Sequence, residues 1–544
     1  MDLSSARFTT PRRELVGIPN EVAGKGVCIG IVDTFFPVHP DLARGPERTI
    51  QWLDAQCRPF DPERVAGVKP RAGQHGLGRA AVACGSGQAS GGRYCGLAPE
   101  CDVVLVNSSV VAGEYRKGPG AAEACLQALV DRADRLGVRA VTFGSAGART
   151  GPLVPWQWDG QRRFCEQLTA KGVLVVAGTG NCPGSFSPTS LSPSSLAGGG
   201  LELPASAPAR VQAFHSPEGV SFEAKAIPDC RVPAERVVVP CVDPNQTSGL
   251  EGVIAGHSVQ EGVSFGDPFL LGLVACVWQK YPYLDARTMR SVLGWAARSV
   301  RPRFGETNVG LPTWHAIERA VDAVGQRTID EPTPWERYAL VRERSWVHRL
   351  MWIRDHPAEL ADVLLNSLPD PAPELAPDLT ACYRRTKSPH ARAAIVLLLA
   401  PPEGRSSVDH PLLDEALNDE SPLVVGCALD AMRRRPHLVA PRAQRLAAWI
   451  NHPDARVRYE ALLAAESAPQ ETFVRPLVEG MRRDLDDGPL AALFVRRRCL
   501  QHITGQKRFP GARKMLPGEC VYSGYWLGKQ RECMENWQNW LDRS

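Results

Sequence analysis

The stretch GVSFGDPFLLG (262–272) places a serine directly ahead of a long apolar run. Two interpretations of Ser264 are open. Serine is among the favoured residues at helix N-termini, so Ser264 is compatible with a plain helix cap. A serine hydroxyl also serves as a nucleophile when a general base lies within hydrogen-bond reach. The choice between the two therefore depends on partner residues elsewhere in the chain.

Two residues far from Ser264 have the types that such a nucleophile requires. The run VCIGIVD (27–33) ends in Asp33, and GQHGLGRAAVACG (73–85) places His75 at the start of a small-residue helix. Histidine titrates near neutrality, so it can take a proton from a hydroxyl and return it to a leaving group. A neighbouring carboxylate fixes the histidine tautomer and stabilises the imidazolium. Taken singly, such an Asp is more often a turn residue and such a His merely exposed.

Residues 1 to about 325 alternate apolar runs with helical patterns. Continuous apolar runs that end in small or polar residues suit strands buried on both faces of a parallel sheet. The pattern predicts an α/β domain whose site lies at the carboxyl ends of its strands. The predicted strands are 27–33, 102–108, 139–145 and 172–181, and a predicted helix covers 120–137.

Six segments, in this order, resemble the motifs of the subtilisin-like serine proteases. They cover roughly residues 20–325, and their joint occurrence outweighs the ordinary reading of any single one. The resemblance implies a subtilisin-like fold with Asp33, His75 and Ser264 as a catalytic triad. The segments are GKGVCIGIVDTFFPVHPDL, GQHGLGRAAVACG, GLAPECDVVLVNS, VTFGSAG, VVAGTGN and GVSFGDPFLLG.

The same resemblance assigns an oxyanion hole and a substrate strand. The Asn181 side-chain amide and the Ser264 backbone N–H would stabilise the oxyanion of the tetrahedral intermediate, a type of interaction that contributes strongly to catalysis. An extended substrate would pair with the segments SAGART (145–150) and VAGEYRKG (111–118), although the second is equally compatible with a surface loop. The implied substrate-binding residues are Ser145, Ala146, Gly147 and Gly178.

Several positions depart from the family pattern without removing a triad member. Phe35 replaces a glycine, and Val263 replaces the threonine usual before the nucleophile. The three residues 77–79 (Leu, Gly, Arg) stand where a threonine, a second histidine and an aliphatic residue are common. Asp267 replaces a small neutral residue, and in the first helical turn it is expected to disturb the local charge balance. These departures leave open a slower or narrowly specific enzyme, or a degenerate protease kept as a binding scaffold.

From about residue 333 the pattern is helical only. Three amphipathic stretches superimpose on Pro389, Pro422 and Pro453, each expected in the first turn of a helix. A recurrence near thirty residues is typical of helical solenoids, and DARVRYEALLAA resembles HEAT-like repeats. The endings HITGQ (502–506) and ENWQNWLDR (535–543) resemble the closing cap of such arrays. We therefore predict a protease domain over 1–328 and an all-α HEAT-like domain over 329–544.

Composition and charge bear on whether nucleic acids or membranes are partners of this chain. The chain is 44% hydrophobic and 22% charged with a net charge of +4, so charge argues neither for nor against nucleic acid. The short basic runs 433–435 and 496–498 are interpreted as solvated helix faces, which favours no nucleic-acid partner. The N-terminus has no apolar secretory region and the chain has no membrane-length apolar run, so no membrane association is expected.

Cysteine usage predicts the compartment and bears on metal sites. The sixteen cysteines are scattered without a C-x-x-C pair, which favours reduced thiols in a cytoplasmic protein and no zinc site. No cofactor is predicted. The resemblance admits a structural calcium ion, but the sequence assigns it no ligands.

The sequence thus predicts a cytoplasmic serine endopeptidase that hydrolyses peptide bonds of a protein or peptide substrate. The helical array would restrain the enzyme, recruit its substrate or bind a regulatory protein; a stabilising buttress is nearly as good an explanation. The alternative function is a pseudoprotease scaffold that binds a partner peptide without cutting it. An amidase or a peptide ligase would use the same residues.

Overall fold

The computed structural model describes most of the chain as two compact units. The first unit comprises Met1–Ala148, Asp159–Asn181 and Phe186–Thr333, and the second comprises Arg149–Trp158, Cys182–Ser185 and Pro334–Ser544. The predicted boundary at residues 328 and 329 lies outside the described residues and stays a prediction. The residues left undescribed are 1–5, 44, 46–47, 67–72, 116–120, 145–148, 151–154, 182–184, 206–209, 247, 249, 325–332, 337–375, 401–410, 487–489, 509, 511–526 and 544.

The first unit is built on an eight-stranded sheet. Its strand order is β11-β10-β8-β6-β1-β3-β2, with β14 also paired to β10. All neighbouring strands run parallel except β11, which pairs antiparallel with β10. The sheet strands are β1 (Cys28–Asp33), β2 (Ile50–Leu53), β3 (Asp102–Asn107), β6 (Ala140–Phe143), β8 (Leu174–Gly178), β10 (Leu196–Glu202), β11 (Gln212–Ala213) and β14 (Cys230–Glu235).

Short strands and seven described α-helices complete the chain as far as residue 324. The remaining strands are β4 (Val110–Val111), β5 (Glu114–Tyr115), β7 (Arg149–Thr150), β9 (Ser185–Phe186), β12 (Gly219–Val220), β13 (Ala226–Ile227), β15 (Val237–Pro240) and β16 (His257–Gln260). The helices are α1 (Arg12–Val16), α2 (Gln74–Cys84), α3 (Ala121–Leu136), α4 (Gly160–Ala170), α5 (Val263–Lys280), α6 (Ala286–Ser299) and α7 (Trp314–Val324).

The central strands are buried because helices cover both faces of the sheet. Strand β1 lies between β3 and β6, in register from Ile29 with Val103 and Ala140. Helices α2 and α5 pack together, and α5 also contacts β6, β8, β10 and β14. Every α5 residue from Phe265 to Trp278 is buried, so this helix is the centre of the core. The α/β class and the parallel sheet predicted from the sequence are therefore confirmed.

From Pro334 onward, the second unit is helical in its described part. Helices α9, α11, α13 and α16 pack on one another in sequence order. Its helices are α8 (Ala376–Arg385), α9 (Pro389–Leu399), α10 (Leu412–Ala416), α11 (Pro422–Arg433), α12 (Ala443–Trp449), α13 (Ala455–Ser467), α14 (Val474–Glu479), α15 (Met481–Asp486), α16 (Leu490–Thr504) and α17 (Leu527–Leu541). This packing accommodates stacked repeats, but a HEAT-like solenoid stays a prediction.

Two expectations about this unit are wrong in detail. Pro389 and Pro422 begin their helices, but Pro453 precedes helix α13, because the Asp454 side chain accepts hydrogen bonds from the N–H groups of residues 456 and 457 and caps the helix instead. The run 496–498 is not a solvated face throughout. Arg496 is fully buried and its Nε lies 2.5 Å from Asp484 Oδ2, so the ion pair explains the buried charge.

In the described part of the chain, no helix combines the length and apolarity needed to cross a membrane.

Candidate active site

Asp33 and His75 are in direct contact. Strand β1 ends at Asp33, and His75 is the second residue of helix α2, which follows Gly73 in the left-handed conformation (φ 82°). His75 Nδ1 lies 2.8 Å from Asp33 Oδ2. The Asp33 side chain is 2% exposed and that of His75 is 41% exposed, so the carboxylate is buried while the imidazole is open to solvent.

Ser264 lies in the first turn of helix α5, directly before a residue whose ring packs against His75. Gly262, at φ 126°, is the N-cap residue, and the helix begins at Val263. Ser264 is therefore not the cap, and the capping interpretation of this serine is wrong. The ring of its neighbour Phe265 lies 5.5 Å from the His75 ring, between centroids. The hydroxyl is thus placed at a helix N-terminus, where the dipole favours developing negative charge.

Asn181 faces the same space as the Ser264 hydroxyl. A Cβ atom at Gly262 would lie 3.2 Å from Ser264 Oγ and 3.2 Å from Asn181 Nδ2, so both atoms border the position that glycine leaves open. The Val263 N–H donates to Asn181 Oδ1 at 2.8 Å. This bond fixes the amide so that its donor end, Nδ2, points away from the Val263 N–H. Asn181 is therefore oriented by the same turn that carries Ser264.

Arg79 and Asp267, two of the departures from the family pattern, are partners. Both side chains are buried, and Arg79 Nη2 lies 2.8 Å from Asp267 Oδ2. The Thr142 hydroxyl on β6 donates to the same carboxylate oxygen at 2.6 Å. The expected disturbance of the local charge balance by Asp267 is thus wrong, because Arg79 compensates the charge.

The Arg79 guanidinium also contacts two of the three predicted triad residues. Its Nη1 lies 3.3 Å from Asp33 Oδ2, the oxygen that faces His75, and its Nε donates to the Ser264 carbonyl at 2.9 Å. That carbonyl has lost its usual helical partner, because Pro268 stands four residues on and has no N–H. Arg79 therefore supplies the donor that Pro268 cannot, and it links β1, α2 and α5 beneath the site.

Burial and these contacts together shift two carboxyl pKa values in opposite directions. Burial would raise the pKa of Asp33, but the charge and hydrogen bond of His75, the charge of Arg79 and the Thr34 N–H together lower it to about 2. Asp33 is thus ionised at neutral pH, as an orienting carboxylate must be. Burial raises the pKa of Asp267 to about 6, although Arg79 and the Thr142 hydroxyl oppose the rise.

The other departures are explained by close packing. A Cβ at Gly76 would lie 2.2 Å from the Phe35 carbonyl oxygen, and a Cβ at Gly78 would lie 2.8 Å from Phe265 Cε1. Gly78 stands where a second histidine is common, and here the Phe265 ring leaves no room for a side chain. Phe35 is buried and packs edge-on against the Tyr115 ring.

The predicted substrate-binding residues are only partly described. Ser145, Ala146 and Gly147 lie outside the described residues. Gly178 ends strand β8, and a Cβ there would lie 2.8 Å from Val263 Cγ2, so its described contact is with the helix that carries Ser264. A substrate role for these four residues stays a prediction.

Sequence reasoning missed one pairing and one further residue at this site. Arg79 and Asp267 were noted separately, and their opposite charges at two altered motif positions were the signal that would have paired them. His215 hydrogen-bonds the backbone of Asn181, and burial lowers the pKa of His215 to about 4. No motif pointed to His215. Within the described residues, no group of three or more His, Cys, Asp or Glu side chains is arranged to hold a metal ion.

Known proteins are similar to this chain over a little more than half of its length. The serine protease AprX of Bacillus subtilis (strain 168) is 25% identical over 305 residues, which is 54% of this chain and 65% of AprX. The chain thus spans about 65% of the length of this relative. Two solved structures are similar. The protease domain of PatA (TM-score 0.41, 15% identity) is matched over 57% of this chain and 100% of its own. Sphericase (TM-score 0.42, 18% identity) is matched over 56% of this chain and 97% of its own.

The family model described as the subtilase family, Peptidase S8, matches residues 24–317, a span that contains Asp33, His75, Asn181 and Ser264. Because this match covers more than half of the 544 residues, the chain belongs to the subtilase family.

Proposed function

We propose that this chain is a serine endopeptidase that hydrolyses peptide bonds of a protein or peptide substrate. The observation that carries the proposal is the 2.8 Å contact between His75 Nδ1 and the buried Asp33 Oδ2, made beside the helix turn that holds Ser264. The family membership supports it, since the relative AprX is a serine protease.

The proposed chemistry assigns each of these residues a role. His75 Nε2 removes the proton from Ser264 Oγ as this oxygen attacks the substrate carbonyl carbon, and the carbonyl electrons move onto the oxygen. Asn181 Nδ2 and the Ser264 N–H donate to that oxyanion. The imidazolium then gives its proton to the leaving amine, and a water molecule hydrolyses the acyl-enzyme by the reverse sequence. Asp33 stays ionised throughout and holds the histidine tautomer.

Product analysis of a peptide digest tests the proposal. The wild type should cleave peptide bonds, and Ser264→Ala or His75→Ala should lower kcat by about 10⁴-fold or more. Ser291→Ala is the matched control, because this serine lies on helix α6 and its hydroxyl donates to the Arg287 carbonyl. A wild type that leaves peptides intact while it binds them would contradict the proposal.

A pseudoprotease scaffold is the second candidate. The observation that favours it is that Arg79 approaches the same Asp33 oxygen as His75, and so competes for the charge that would stabilise the imidazolium. Retention of a peptide without cleavage, with the same affinity in Ser264→Ala, would support the scaffold.

For the helical part we propose a role in restraint or substrate recruitment, with a HEAT-like array over 329–544. Comparing the full chain with a chain that ends near residue 328 tests this role. Equal peptidase rates and equal preference for protein substrates would remove it. The cytoplasmic location, and a regulatory protein bound to the array, also stay proposals.

A further inference from the structure

The His75 imidazole needs more than its hydrogen bond to keep one orientation. Its Nδ1 lies 2.8 Å from Asp33 Oδ2, and this is the one hydrogen bond of the ring in the part of the chain that the structure describes. The bond fixes one atom of the imidazole, but the ring plane can still turn about the line between the two bonded atoms. The side chain is also 41% exposed, so much of it has no packing neighbour. A functional side chain keeps a precise orientation only when packing adds to its hydrogen bonds.

The Phe265 ring supplies that packing contact. Its centroid lies 5.5 Å from the centroid of the His75 ring, and the two ring planes meet at 63°. Aromatic pairs with this kind of edge-to-face geometry are worth about 0.5–1.5 kcal/mol beyond the area that they bury. Phe265 is only 2% exposed, so the protein core holds its ring in place. The imidazole therefore rests against a fixed surface.

Helix α2 leaves room for this ring beside His75. Gly78 lies three residues after His75, so the two positions are neighbours on one face of the helix. A Cβ atom at Gly78 would lie 2.8 Å from Phe265 Cε1 and 3.3 Å from Val239 Cγ2 on strand β15. The Phe265 ring thus occupies a slot bordered by α2 and β15, and it can do so because position 78 has no side chain.

The ring and the predicted nucleophile belong to the same turn of helix α5. Phe265 directly follows Ser264, and the Phe265 N–H donates to the Gly262 carbonyl at 3.0 Å. The turn that carries the serine therefore also carries the surface on which the imidazole rests. Because both residues are fixed by one short piece of backbone, the contact couples the position of the imidazole to that of the serine.

We propose that Phe265 is a positioning residue for His75, and that its ring holds the imidazole plane in the orientation that accepts the Ser264 proton. Asp33 fixes one edge of the imidazole and Phe265 fixes its plane. Gly78 takes part indirectly, because a side chain there would displace the Phe265 ring. The inference rests on the proposed protease function and adds to it a residue that does not itself touch the substrate.

Steady-state kinetics of the full chain on one peptide substrate test the inference. Phe265→Leu should lower kcat about 10–100-fold and leave KM nearly unchanged, because a displaced base slows the chemical step more than it weakens binding. Phe269→Leu is the matched control, since Phe269 is also buried and lies one turn further along helix α5. This control should lose stability as well, but it should keep the wild-type kcat.

Gly78→Ala perturbs the same contact in the opposite way, because it adds an atom against the ring instead of removing the ring. It should lower kcat in the wild type and cause no further fall in Phe265→Leu, since it acts on His75 only through the Phe265 ring. Two substitutions that merely weakened the fold would have additive effects on kcat.

Histidine NMR gives a readout that does not require activity. In the Ser264→Ala background, with histidine isotope-labelled at Cε1, the resonance that disappears in His75→Ala identifies His75. Phe265→Leu should shift this resonance because the ring current is lost, and Phe269→Leu should not. Gly78→Ala, which retains the ring, provides both readouts if Phe265→Leu does not fold.

The possible outcomes separate this inference from the proposed function. An active wild type whose kcat is unaffected by Phe265→Leu, additive effects of the Gly78 and Phe265 substitutions, or an unmoved His75 resonance would overturn the inference alone. A wild type that cleaves no peptide, although Phe265→Leu shifts the His75 resonance, would refute the proposed function and show that the ring holds the imidazole without a catalytic role.

Discussion

The contact of Arg79 with both Asp33 and Asp267 predicts opposite pH shifts in two variants. In Asp267→Asn the guanidinium keeps its neighbours but loses its counter-charge. The uncompensated cation then disfavours protonation of the His75 imidazole, and the acid limb of kcat/KM moves to lower pH. In the double variant Arg79→Gln/Asp267→Asn the cation is also gone. Protonation of the His75 imidazole then becomes easier than in the wild type, and the acid limb of kcat/KM moves to higher pH.

The distances set the size of these shifts. Arg79 Nη1 and His75 Nδ1 both contact Asp33 Oδ2, so the two nitrogens are separated by roughly 6 Å or less. Two unit charges at that distance interact by about 3 kcal/mol at an effective dielectric constant near 20. Asp267 Oδ2 lies 2.8 Å from the other terminal nitrogen of Arg79. If its separation from the imidazole is taken as roughly 9 Å, the interaction is about 2 kcal/mol. At 1.36 kcal/mol per pH unit, we expect a fall of about 1.5 units in Asp267→Asn and a rise of about 0.5–1 unit in the double variant.

The assay is kcat/KM for one peptide substrate between pH 4 and about 9, because its acid limb reports the base of the free enzyme. Arg231→Gln is the matched control. Arg231 is also fully buried and paired to a carboxylate, Glu218, but within the described part of the chain its side chain hydrogen-bonds none of the predicted triad residues. The Arg231→Gln variant should be less stable than the wild type, but the acid limb of its kcat/KM profile should not move. Shifts of the same sign in Asp267→Asn and the double variant, or no shift in either, would refute the electrostatic reasoning.

Three further predictions test the site. Asn181→Ala should lower kcat about 10²–10³-fold with little change in KM, because it removes a donor to the oxyanion; an unchanged kcat in steady-state assays would exclude that role. Gly78→Ala should lower the free energy of unfolding by about 1–3 kcal/mol, measured by urea titration, because its Cβ would lie 2.8 Å from Phe265 Cε1; an unaltered midpoint would contradict this packing. Asp267 stabilises the fold most below the unfolded pKa of 3.8, and this contribution is lost as pH rises through about 6. In the Ser264→Ala background, the free energy of unfolding should therefore fall by about 2–3 kcal/mol between pH 4 and 8 relative to Asp267→Asn, and parallel pH profiles would count against a raised pKa.

Much of the first unit could be predicted because its strands are long apolar runs. The predicted strand 27–33 is Cys28–Asp33 in the structure, and the predicted helix 120–137 is Ala121–Leu136. Strands β10 and β14 were missed for physical reasons. The first, LAGGGLE, contains three glycines, which have low strand propensity, and the second, CRVPAE, carries a buried arginine and a proline.

The sequence predicted the site only through the residues that lie in recognisable motifs. The contact between Asp33 and His75 was predicted from the resemblance of the two segments to family motifs, in which β1 delivers Asp33 to the carboxyl edge of the sheet and His75 begins the next helix. The Arg79–Asp267 pair did not follow, because 188 residues separate its members and each looked like an isolated departure. Buried ion pairs of this kind depend on tertiary packing, which a single sequence does not specify.

The central claim is that Ser264 is an activated nucleophile. The most direct measurement is mass-spectrometric mapping of a fluorophosphonate adduct on the full chain at neutral pH. We predict one adduct, on the peptide that contains Ser264, with none in Ser264→Ala and a strongly reduced rate in His75→Ala. A folded wild type that remains unlabelled, or an adduct that maps to another residue, would contradict the account.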